Sequence, residues 1–179
     1  MEKRKAKIIV GAAGGTAHKG SKTYKISLPS AWINKLGLNE DNRNIELIFD
    51  GEKIVFQPVK TIDSFKIEKL NLEHDVKGIK FFDKNGLCTC ICADFTDKTI
   101  VAENYTDNIV KTAFGNNDCP DWNDFVNFIE ERCLPKSRAG IREYLEAIGV
   151  SEYDPMEIIK KTAGRMAEDD QWIEMEAVK

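Results

Sequence analysis

The chain has 179 residues, 42% of them apolar and 31% charged, with a formal net charge of −4. These are ordinary globular values and suit one large domain or two small ones. No apolar run approaches the roughly 18–20 residues a bilayer crossing requires, and the basic N-terminus lacks the apolar stretch of a signal peptide, so a cytoplasmic protein without a membrane partner is expected.

Residues 5–10 alternate weakly and end in three consecutive β-branched side chains, which predicts a strand. A glycine-rich basic loop follows, from Gly11 to Gly20. Residues 24–28 alternate cleanly, with Tyr24, Ile26 and Leu28 on one face, and predict a second strand. Pro29 ends it. Ser30 can cap a short helix over residues 31–36, and Gly37 suits the left-handed position after that helix. Residues 39–44 are polar turn material. Residues 45–49 and 53–56 predict two further strands, with Asp50-Gly51 between them as a strong tight-turn signal. Pro58 closes the unit, giving a first domain over residues 1–60. Four short strands in about fifty residues make a poor core for a monomer, and pairing two copies would bury the open faces.

Residues 61–77 read as a connector. A second unit, residues 78–179, begins with strands at 79–82 and 87–95, joined through Asn85-Gly86, a strong hairpin signal. Residues 99–104 predict a third strand and residues 107–114 a short helix ending at Gly115. Between 121 and 132, Trp122, Phe125, Val126 and Ile129 recur at helical spacing. Ser137 can cap a helix burying Ile141, Tyr144 or Leu145, and Ile148, with Gly149 at its end. Asp154-Pro155 can start another helix, through Ile158 and Ile159 to Gly164. Residues 171–175 predict a last strand. The fold class expected is α+β.

The run Ile26-Ser-Leu-Pro-Ser-Ala-Trp-Ile-Asn-Lys-Leu-Gly-Leu38, followed by the polar turn 39–44 and the Glu46-Leu-Ile strand, resembles the AbrB/MazE/SpoVT family. The resemblance covers residues 5–60, a third of the chain. The first loop is longer than the family usually has, and the arginine usual in the short helix is replaced by Asn34-Lys35. The resemblance implies a swapped-hairpin β-barrel shared between two chains, followed here by a small antiparallel sheet and helices. It also implies that basic residues of the first strands and loop of both subunits contact double-stranded DNA. Carried onto this sequence, those residues are Lys5, Lys7, His18, Lys19, Lys22 and Lys25, with Lys3 and Arg4 as a phosphate-contacting arm.

Charge agrees with such a split. Residues 1–30 hold seven basic groups against the single acid Glu2, whereas residues 61–179 hold 15 basic and 24 acidic groups, a net charge of −9. That is the footprint of a polyanion-binding head on an acidic body. Lysine contacts to phosphate give salt-sensitive, largely sequence-independent affinity. Because Arg4 is the single arginine of the basic segment, specificity is expected from DNA shape and dimer spacing more than from bidentate guanine contacts. The function expected is a DNA-binding transcriptional regulator or antitoxin-type autorepressor acting as a homodimer, or a tetramer if the second domain adds an interface. The alternative is a phage or mobile-element anti-defence protein, such as a Cas9 inhibitor of the anti-CRISPR kind, whose acidic body (residues 78–179) binds a nucleic-acid-handling protein.

The remaining residues give little chemistry. The Gly11–Gly15 cluster lacks the spacing of a dinucleotide or P-loop fingerprint. Cys88, Cys90 and Cys92 alternate in a strand and so are expected on one side of it. Their spacing is not that of a zinc pair, and together with Cys119 and Cys133 they read as reduced thiols. His18 and His74 sit in polar stretches, and no nucleophile has a matching base. Asp169-Asp170 and Glu130-Glu131 read as solvated acids. A helix-turn-helix at residues 145–157 is disfavoured, because Glu152, Asp154 and Glu157 would face phosphates. No enzyme activity, metal or cofactor is expected.

Overall fold

A computed structural model describes residues 2–14, 18 and 20–177. The chain is a mixed α+β protein with antiparallel sheets, none of them closed into a barrel among the described residues. It divides into two compact units, Met1–Val59 and Lys60–Lys179. Among the described residues no helix is long and apolar enough to cross a membrane.

The first unit is two separate hairpins and a short helix. Strands β1 (Ile9–Ala12) and β2 (Lys22–Lys25) form one hairpin, and β3 (Ile45–Phe49) and β4 (Ile54–Pro58) the other. Helix α1 (Ser30–Lys35) lies between them in sequence. Pro29, extended at φ −63° and ψ 129°, stands at its N-cap, so Ser30 is the first helical residue rather than the cap. Gly37 has φ +70°, the left-handed conformation that lets the chain leave a helix. The Asp50-Gly51 turn is fixed by the Asp50 carboxylate, which accepts from the backbone N–H groups of Glu52 and Lys53 at 3.0 Å each. Register places Ile45, Leu47 and Phe49 opposite Pro58, Phe56 and Ile54. Directly paired residues share a face, so one side of this hairpin is wholly apolar. It is not buried within the unit: Leu47, Phe49 and Ile54 are 67%, 70% and 71% exposed. Leu38 is the one buried residue among those described in this unit.

The second unit is built on a four-stranded antiparallel sheet ordered β7-β6-β5-β8, from β5 (Val76–Asp83), β6 (Gly86–Asp94), β7 (Thr99–Asn104) and β8 (Gln171–Ala177). Three helices, α3 (Trp122–Glu131), α4 (Ile141–Ile148) and α5 (Pro155–Thr162), join one face in a single core that includes Ile79, Phe81, Ile91, Phe125, Ile158, Ile159 and Ile173. Asp121 caps α3 in a reciprocal box with Asp124, and Asp154 caps α5 ahead of Pro155. On α3 the fully buried side chains are Phe125, Phe128 and Ile129, with Trp122 and Val126 half-buried.

Four local expectations give way here. Residues 61–77 hold helix α2 (Ile62–Asn71), capped by the Thr61 hydroxyl, and its Phe65 packs with Val76 and Cys92 on the sheet's other face. Its apolar residues follow no clean amphipathic stripe, which is why the segment reads as a linker. Residues 107–114 form only a 3₁₀ turn, Ile109–Lys111, with Ile109 and Val110 exposed. Helix α4 starts after Gly140 with no side-chain cap, so Ser137 does not cap it. Cys88 does not share a side with Cys92: the pairing of β5 and β6 shifts between Phe81 and Phe82, and Cys88 packs in the main core while Cys92 packs with Phe65.

Candidate nucleic-acid interface

The basic residues of the first unit lie on exposed backbone. Lys3, Arg4, Lys5 and Lys7 belong to the segment that leads into β1, and all four are exposed. His18 is exposed in the loop between β1 and β2, where its carbonyl accepts from Ser21 N–H at 3.0 Å and Ser21 O accepts from Ala13 N–H at 2.9 Å. Lys19 lies outside the described residues. Lys22 and Lys25 bound β2 and are exposed.

Register sorts these lysines between two faces. Ile9 pairs with Lys25 and Gly11 with Thr23, whereas Val10 pairs with Tyr24 and Ala12 with Lys22. Lys25 therefore shares a side with Ile9 and Thr23, and Lys22 shares the opposite side with Val10 and Tyr24. The hairpin does not gather all its cations on one face within a single chain. Among the described residues, no carboxylate forms an ion pair with Lys3, Arg4, Lys5, Lys7, Lys22 or Lys25; the ion pairs of this unit join Lys35 to Glu2 and Lys53 to Asp50. Unneutralised lysines on exposed backbone leave a positive surface able to take phosphate oxygens. The 39–44 turn is ordered by Asn39, whose side chain accepts from the N–H groups of Asp41 and Asn42 at 2.9 and 2.8 Å.

The second unit holds a different polar cluster. Asp94, fully buried at the end of β6, accepts from His74 Nδ1 at 2.8 Å, Lys69 Nζ at 2.9 Å, and the backbone N–H groups of Thr96 and Asp97 at 2.9 and 3.3 Å. Lys69 also donates to Asp97 at 2.7 Å. His74, Asp94 and Asp97 each offer a ligand atom within 4.8 Å of the others, a spacing a metal ion could use. The Lys69 ammonium already supplies positive charge to both carboxylates, so the cluster is electrostatically complete as a clasp between α2 and the β6–β7 turn. Neither sequence spacing nor composition singles it out, because its members come from a helix, the third residue after it, a strand end and the turn that follows.

Burial alone would raise the Asp94 carboxyl, but the bonds from His74, Lys69 and the two amides outweigh it and hold its pKa at about 2. A depressed pKa stabilises the folded state above the unfolded value near 3.8, and that contribution is lost as pH falls through about 2. Acid titration of the second unit is therefore expected to lose about 2 kcal/mol between pH 4 and pH 2. In Asp94→Asn, urea unfolding should lose that slope over the same interval. An unchanged slope would show that Asp94 does not carry it.

Burial also pushes the Cys92 and Cys133 thiols up to about 11, so both are neutral thiols at physiological pH. Neither has the electropositive setting of a reactive cysteine.

No protein-family model, no curated protein and no solved structure matches the chain.

Proposed function

We propose that the first unit is a DNA-binding head of the AbrB/MazE/SpoVT-like kind, which acts as a homodimer, and that the protein is a transcriptional regulator or antitoxin-type autorepressor. The observation that carries this reading is the apolar face formed by Ile45, Leu47, Phe49, Ile54, Phe56 and Pro58, which the unit itself leaves open. The first hairpin adds Val10 and Tyr24, 54% and 67% exposed. An exposed apolar hairpin face of this kind marks an interface, and a second copy supplies the same surface through a two-fold axis. Interleaving the hairpins of two chains would close the shared barrel that the resemblance implies. It would also bring two sets of unpaired lysines together, which supports contact with the phosphates of double-stranded DNA.

The test is DNA binding by the full chain over a salt series, with mass measured by light scattering. The expected result is a dimer or a tetramer that binds duplex DNA with log K falling steeply against log salt, the slope growing by about 0.9 for each phosphate neutralised. A monomer that binds no duplex DNA at any salt concentration would overturn the reading. The net charge of −9 in residues 61–179 would then favour the second one, an anti-defence protein whose acidic body enters a basic nucleic-acid channel of another protein.

A further inference from the structure

Glu2 reaches α1. Its carboxylate accepts from the Trp32 indole N–H at 2.6 Å and from the Lys35 ammonium at 3.2 Å. Trp32 and Lys35 are three positions apart on the helix, so their side chains emerge on one side of it. Both are pure donors: the indole offers one N–H and the ammonium three, with no acceptor between them. Two such donors converging on one carboxylate form an anion site, and the indole bond, followed by the lysine, holds the Glu2 carboxyl below its usual range. An open groove of about 410 Å³ adjoins them, lined by Glu2, Trp32, Lys35, Leu36 and Phe56. The Lys35 and Glu2 side chains are 72% and 65% exposed, so water and competing anions reach the pair and it exchanges readily. Lys3 and Arg4 follow Glu2 directly, so a phosphate drawn to the basic arm arrives beside the same two donors.

We propose that the Trp32 indole N–H and the Lys35 ammonium form a phosphate-binding site on α1, which the Glu2 carboxylate fills in the free chain and yields to a backbone phosphate of duplex DNA. This rests on the DNA-binding reading above for its ligand, but not for the site itself. Glu2 is then an internal competitor: it lowers affinity for DNA more than its single charge accounts for.

Two measurements on the full chain test this. In the first, inorganic phosphate is titrated into protein carrying ¹⁵N-labelled tryptophan. The Trp32 indole resonance of Glu2→Ala should move saturably, that of the wild type less, and that of Glu2→Ala/Lys35→Ala hardly at all, with Trp122 and Trp172 as internal controls. A Trp32 resonance that ignores phosphate in Glu2→Ala, or moves equally without Lys35, overturns the site. In the second, duplex DNA affinity is read against salt. Glu2→Ala should bind about three- to tenfold tighter, with a salt slope steeper by about one, whereas Glu52→Ala, the same change of charge in the β3–β4 turn, should leave the slope unchanged. Equal slopes for the two variants overturn the competition. A phosphate response with no DNA binding by any variant would keep the site and overturn the DNA-binding reading instead.

Discussion

Replacing Leu47 by aspartate is expected to dissociate the protein and abolish tight DNA binding while the second unit stays folded. Leu47 sits in the middle of β3, directly opposite Phe56, on the hairpin face that is entirely apolar. In a dimer closed through that face, the substitution places a carboxylate in a water-poor interface with no cation opposite. Desolvating an unpaired polar group costs about 3 kcal/mol, and a homodimer contains two copies of it, which raises the dissociation constant by a factor of about 10⁴. Light scattering should report the monomer mass at concentrations where the wild type is dimeric, and DNA affinity should fall with it. The core of the second unit contains no residue of the first, so its urea transition should not move. If the Leu47→Asp protein remained dimeric and bound DNA as tightly as the wild type, the apolar face would not be the dimer interface.

Arg132→Ala is expected to destabilise the second unit by about 3 kcal/mol. This guanidinium is buried at the end of α3, where it ties the closing loop to the helix. It donates through Nε to Gly164 O at 3.0 Å, to both Asp169 oxygens at 2.6 and 3.0 Å, and to Gln171 O at 3.0 Å. Alanine removes all of these and leaves two backbone acceptors without their donor. The same side chain crosses the Phe81 ring at 5.9 Å, so packing is lost as well. Arg138, exposed just beyond α3, is the comparison: its replacement by alanine should stay within about 0.5 kcal/mol. Urea unfolding of both variants decides it, and equal midpoints would refute the assignment.

Arg132 also shows how far the sequence carries. Arg132 and Asp169 are 37 positions apart, and only the packing of α5 and β8 shows that they meet. Local signals fared better. The hairpin signalled by Asn85-Gly86 forms, although its two turn residues are Lys84 and Asn85 and Gly86 already belongs to β6; Gly37 and Gly149 both leave a helix at positive φ, and Asp154-Pro155 does begin one. Each of these depends on neighbouring residues alone. What the sequence could not show depends on tertiary packing: the bulge that turns Cys88 away from Cys92, the burial of Phe65 that makes a helix of a presumed linker, and the buried clasp of Lys69, His74 and Asp94. At the candidate interface the basic residues were legible by composition. Their division between two faces, and the contact of Glu2 with Trp32 and Lys35, were not, because both require strand register and chain reversal.

The order of strands in the second unit bears on how it is made. β5 lies inside the sheet, yet its two neighbours are far apart in time of synthesis. β6 follows at once through a tight turn, while β8 arrives much later: Lys80 and the β8 carboxylate to which its side chain donates, Glu176, are separated by 96 positions. A chain emerging from the ribosome therefore carries an open strand edge on β5 until three helices have been built and have packed. Pairings of such long separation close slowly, because the loop entropy is lost before the contact forms. The nascent chain passes through a stage in which residues 77–83 offer unsatisfied backbone groups to any other extended strand, so high expression rates would favour aggregation before the sheet is complete.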